Sequence, residues 1–119
     1  MLQLLSENTN FTVTDAELVK DGDHGTAYTL RHILPAERRI IAEKNTSRRA
    51  NRQTASMQDV VNHIGILEDL VDHAVVDWSG ILADGQPAPC TREYKLLLDG
   101  FRIEAILERA STMQRKDKA

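Results

Sequence analysis

The chain has 119 residues, 41% of them hydrophobic and 28% charged, with a net charge of -3. That length reads as a single domain spanning residues 1–119, able to bury a core without disulfides or metals; the charge argues neither for nor against a nucleic-acid partner. No run reaches the roughly 18 apolar residues of a membrane span, Met1-Leu-Gln-Leu-Leu lacks the basic flank of a secretory signal, and a lone Cys90 cannot close an internal disulfide, which suits a reducing cytoplasm.

The charge is strongly partitioned. Residues 1–30 carry five acids and one base, and residues 31–54 carry seven bases and two acids. Residues 55–84 carry six acids and no Lys or Arg, and residues 85–119 carry seven bases and five acids. Segments so opposed can pair within one copy or head to tail between copies.

Residues 1–10 lack periodicity and read as a loose N-terminus. Residues 11–19 (Phe-Thr-Val-Thr-Asp-Ala-Glu-Leu-Val) partly alternate and are rich in β-branched side chains, which predicts a strand. Lys20-Asp-Gly-Asp-His-Gly25 offers turn chemistry, and residues 26–34 alternate again, so the two strands make an N-terminal β-hairpin. Asp21, Asp23 and His24 in that turn also read as a metal site, but a calcium loop needs further oxygens and a bidentate Glu, and none follows. No metal and no cofactor is therefore expected.

Pro35–Lys44 predicts a short helix, with Pro35 at its first position and Glu37 and Lys44 placed to suit the helix dipole. Residues 45–55 have no hydrophobic period and read as an Arg-rich loop; Arg48, Arg49 and Arg52 with Asn51 and Gln53 could grip phosphate, and a solvated linker is the default reading. Across residues 56–82 apolar side chains fall at Met57, Val60, Val61, Ile64, Leu67, Val71, Ala74, Val75 and Trp78, in steps of three and four. This predicts one long helix capped by Ser56 and Asp59, stopped near Gly80, with Trp78 in its last turn. On it, Asp59 and Asp69 each precede a histidine by four, so His63 and His73 are each expected to pair on their own face. His63 and His73 lie roughly 15 Å apart along such a helix and cannot share a metal.

A second long helix is predicted after the N-cap Thr91, with Tyr94, Leu97, Leu98, Phe101, Ile106 and Ala110 on a broad apolar face and Gly100 as its weak point. Residues 114–119 read as a frayed tail. The expected fold is α+β, mostly α: a hairpin, a short helix and two long amphipathic helices. No Gly-rich phosphate loop, zinc spacing or nucleophile elbow appears, so no enzyme is expected.

The segment from Val75 to Asp99, with its Trp78-Ser-Gly80 step, polar turn, Thr91-Arg-Glu93 helix start and Leu96-Leu-Leu98 run, resembles the small tail assembly chaperones of long-tailed bacteriophages and prophages. Tyr28-Thr-Leu-Arg-His-Ile-Leu-Pro-Ala-Glu-Arg38 is similar to their strand leading into a helix. The resemblance covers roughly residues 26–110. It implies a non-enzymatic cytoplasmic protein of the host cell that coats the tape measure protein, keeps it soluble until tail tube protein polymerises around it, and self-associates. The client-binding surface implied includes Trp78, Leu97 and Phe101, with charge from Arg48, Arg49 and Arg52. A small nucleic-acid-binding protein and a head–tail connector are the alternatives.

Overall fold

The computed structural model describes residues 10–51 and 56–112. Of the loose N-terminus expected over residues 1–10, all but Asn10, which opens a strand, lies outside them, as do the frayed tail expected over 114–119 and Arg52.

The chain builds a three-stranded antiparallel sheet in the order β1-β2-β5, from β1 (Asn10–Thr14), β2 (Ala27–Arg31) and β5 (Val75–Ser79). Asn10 pairs with Arg31 and Thr14 with Ala27, so a hairpin is present, but its first strand stops at Thr14 rather than Val19. The cause is a capping box. The Glu17 N–H donates to Thr14 Oγ1 and the Thr14 N–H donates to Glu17 Oε1, which opens the one-turn helix α1 (Asp15–Leu18).

Helix α2 (Pro35–Lys44) occupies the predicted residues. Beyond it the prediction fails. Residues expected as a loop form β3 (Thr46–Asn51), and it pairs antiparallel with β4 (Ser56–Val61), the start of the expected long helix. That helix is confined to α3 (His63–Ala74), capped by Asn62, whose side-chain oxygen accepts from the Gly65 N–H at 3.0 Å. At its other end β-branched Val75 and Val76 pass directly into β5. Trp78 therefore lies on a sheet strand, opposite Tyr28, and not in a helical turn. The second long helix is also broken, into α4 (Arg92–Lys95) and α5 (Gly100–Thr112). Asp99 caps the new start, accepting from the Arg102 N–H at 2.9 Å. Between β5 and α4 lies a small ribbon of β6 (Leu82–Ala83) and β7 (Gln86–Pro87). Its turn, Asp84-Gly85, has positive φ at both residues, as a two-residue hairpin turn requires. The architecture of a hairpin followed by two long helices is thus replaced, among the described residues, by a three-stranded sheet, two small ribbons and five helices, still α+β.

Helices α3 and α5 pack on each other and on β2. Val13, Tyr28, Leu30 and Val75 from the sheet meet Leu70, Val71, Ala74, Ile106 and Ala110 from these helices. Each Val, Leu or Ile among them contributes about 1.5–3 kcal/mol by leaving water. The β3–β4 ribbon takes no part in this core. Its main contacts among the described residues are its own pairing and the adjoining end of α2, and we call it the arm.

Candidate protein-binding surface

Trp78 owes its place to pairing. Residues opposite one another in an antiparallel pair share a face, so Trp78 joins Tyr28, Leu30 and Val75 on the side covered by helices, at the sheet's end. Its indole N–H donates to the Ala88 carbonyl at 2.9 Å, which holds the ring against the chain leaving β7. Gly80 follows with φ +80, and a Cβ there would stand 2.0 Å from the Gly25 carbonyl oxygen, so only glycine lets β5 end this close to the turn before β2.

An apolar groove of about 170 Å³ opens beside the indole, lined by Trp78, Ile81, Leu82, Ala88, Tyr94 and Leu97 among others. Leu97 and Leu98 reach it because the chain turns between α4 and α5, where the Leu97 N–H donates to the Tyr94 carbonyl. The groove's rim is strongly apolar yet uncovered: Leu82 is 67% exposed and Leu97 76%; Phe101, in the first turn of α5 and outside this groove, is 82% exposed. Of the residues singled out from sequence, Trp78 and Leu97 are brought together here. Phe101 stands beside Asp21 and Arg102 in an adjoining cleft of about 450 Å³. Arg48 and Arg49 are on the arm, so they do not belong to this groove.

Between groove and core lies a polar tie that sequence reasoning missed. Asp15, only 1% exposed, accepts from Tyr28 Oη at 2.7 Å, from Arg102 Nε at 2.7 Å and Nη2 at 2.6 Å, and from the Asp23 N–H at 2.8 Å. Arg102 Nη1 also donates to Asp99 Oδ2 at 2.7 Å. The Arg102 hydrogen bonds hold the Asp15 carboxyl well below the usual carboxylate range, against the opposing pull of burial. Burial and the neighbouring carboxylate push the Tyr28 phenol up. Four donors fill the carboxylate's acceptor sites, which leaves no lone pair to take a proton from a substrate. The cluster clamps α5 to the sheet. Thr14-Asp-Ala-Glu17 is a legible capping signature for α1, but no local signal pairs Asp15 with Arg102, which stands 87 residues later.

A second polar cluster binds α4 to α3. Arg92 meets Asp69 Oδ1 at 2.9 Å and Asp72 Oδ2 at 3.3 Å, and Lys95 Nζ meets Asp72 Oδ1 at 3.0 Å. The Asn45 amide donates to Asp69 Oδ2 at 2.9 Å. Asp69 is thus committed to Asn45 and Arg92 and not to His73, whose Nδ1 faces Glu37 Oε2 at 3.8 Å. Asp59 meets Arg48 at 3.3 Å across the arm, rather than His63. Three acids of the 55–84 segment, Glu68, Asp69 and Asp72, therefore face Arg92 and Lys95. The basic 31–54 segment supplies only Lys44 to Asp69, at 3.6 Å, and Arg48 to Asp59 among the described ion pairs.

Among the described residues no group of His, Cys, Asp and Glu side chains is arranged to hold a metal, and no helix is long and apolar enough to cross a membrane. Comparison with family models, with curated proteins and with solved structures finds no match to this chain.

Proposed function

We propose that this chain is a non-enzymatic tail assembly chaperone, which holds amphipathic helical segments of a tape measure protein and keeps them soluble until tail tube protein encloses them. The observation that carries the reading is the uncovered apolar groove at Trp78. A helix laid into a groove presents side chains at three- and four-residue spacing, and Leu82, Leu97 and Phe101 are large apolar groups left in water by the chain's own fold. Exposed apolar groups clustered around a concavity mark an interaction surface. The sequence resemblance supplies the identity of the client.

Co-expression with a helical fragment of the tape measure protein tests it. Wild-type chain should raise the fragment's soluble fraction and be recovered with it by pull-down. Leu82→Asp with Leu97→Asp should abolish both, because it sets two charges in an apolar contact. Binding should also shift Trp78 fluorescence. An insoluble fragment and no recovered complex would sink the reading.

A specific feature also favours a second reading. The Arg-bearing segment forms a two-stranded ribbon, a shape that the major groove of duplex DNA admits. Retention of the chain on random duplex at low salt, lost as salt rises, would support it.

A further inference from the structure

Apart from Val76 on β5, the exposed large apolar residues fall into two groups along the chain. One comprises Ile40 on α2, Met57, Val60 and Val61 on the arm, and Ile64 and Leu67 in the first turns of α3. The other comprises Leu82 and Leu97 at the groove, with Phe101 in the cleft beside Asp21 and Arg102. The charges around them are opposite. The sequence of the arm, residues 46–61, holds Arg48, Arg49 and Arg52 against one acid, Asp59. The groove is flanked by Asp84, next to its wall residue Ala83, and by Glu93, next to Tyr94. Asp84 and Glu93 make no ion pair among the described residues, and the nearby cations Arg92 and Lys95 are committed to Asp69 and Asp72.

Each surface is thus apolar, uncovered and charged to complement the other. One copy cannot join them. The arm leaves the body at the start of α3, and Trp78 lies beyond its far end. The 12 residues of α3 separate the two by about 18 Å at a 1.5 Å rise per residue. Beyond its own pairing, the arm's main contact among the described residues is with α2. A two-stranded ribbon with bare faces and open edges is marginal by itself in water, so it gains most from a surface that covers it.

We propose that the β3–β4 arm of one copy docks in the acid-flanked groove of a second copy. The contact joins different surfaces, so it is heterologous and propagates head to tail. The exposed apolar side chains at the arm and its base favour a protein surface over a phosphate backbone, and Asp59 already offsets Arg48. The proposal rests on the groove being a protein-binding surface, and it makes the arm and the client competitors for that groove.

The test is sedimentation of the full chain over a concentration series at low and high salt. Wild type should rise above the 13.4 kDa monomer mass with concentration, and fall back as salt screens the charges. Arg48→Glu with Arg49→Glu on the arm, or Glu93→Lys with Asp84→Asn at the groove, should each weaken self-association by about tenfold or more, as a loss of about 1.4 kcal/mol does. Circular dichroism should show both variants folded. Mixing the two should restore association, because the intact arm of one variant meets the intact groove of the other and the reversed charges of the mutated arm and groove also attract. A monomeric wild type at low salt, an arm variant that associates like wild type, or a mixture that fails to pair would overturn the proposal. An arm variant that loses duplex DNA binding while still self-associating would overturn it in favour of the nucleic-acid reading. If self-association behaves as expected but the tape measure fragment does not bind, the chaperone reading alone fails. If the fragment binds and the arm variants still associate, the arm proposal alone fails.

Discussion

The chain makes two antiparallel β structures of similar strand length, and they differ in nearly everything else. In the β1-β2-β5 sheet, Val13, Tyr28, Leu30 and Val75 are buried beneath α3 and α5. In the β3–β4 arm, Met57, Val60 and Val61 remain exposed and no helix covers them. Hydrogen-bonded pairing is present in both, so pairing is not what separates them. What separates them is cover: the sheet is stabilised by its own chain, whereas the arm presents a surface that another molecule can cover.

The largest expected effect comes from breaking the sheet's cover. Leu30→Ala removes a fully buried side chain between α3 and the strands, and should cost about 3 kcal/mol in denaturant-monitored unfolding. A cost near zero would show that the core is not where the stability lies. Asp15→Ala should follow at about 2 kcal/mol, since it strands the Arg102 guanidinium against the sheet; that value is set below the usual cost of breaking a buried pair because Arg102 is partly solvated. A double-mutant cycle with Arg102→Ala isolates the coupling, and additive losses would show that the clamp contributes nothing.

Acid acts on the same region by a smaller amount. His32 stacks on Phe11 with ring centroids 4.7 Å apart, and burial lowers its pKa. A histidine that prefers to be neutral in the fold contributes stability in full above its unfolded pKa of about 6.5. That contribution is lost as pH falls through the folded value. Asp15, whose carboxyl is held low, retains its contribution until the pH falls below the ordinary carboxylate range. The melting temperature should therefore decline in two stages as pH drops, and His32→Gln should flatten the first. An unchanged first stage would remove His32 from the account. The smallest effect should come from the arm. Val60→Ala should alter monomer stability by no more than about 0.5 kcal/mol, and arm amides should exchange with solvent far faster than those of β2. Slow exchange in a dilute monomer would mean that the arm is covered by its own chain.

Several features were legible because they rest on local chemistry. Pro35 at the first turn marked α2, and Gly100 marked the weak point at which the last helix begins. The broad α+β character followed from the pattern. Trp78 and Leu97 could be singled out as surface candidates from a resemblance, but their meeting in one groove depends on the chain reversal at β6–β7 and on the break between α4 and α5. The long helix over residues 56–82 was misread because a period of three and four residues is also produced by a strand, a helix and a strand placed end to end. Val60-Val61 and Val75-Val76, the β-branched pairs at the two junctions, fit the strands that the structure builds there.

Local sequence thus determined where turns, caps and apolar positions lie, since those depend on a few neighbouring residues. Tertiary structure decided which apolar positions are covered. Val71 is buried by the sheet and α5, while Ile64, two turns earlier on the same helix, stands in water beside the arm. It also decided which charges are spent. Arg102 reaches Asp15 and Arg92 reaches Asp69 across long stretches of chain, because burial and electrostatic pairing act through space.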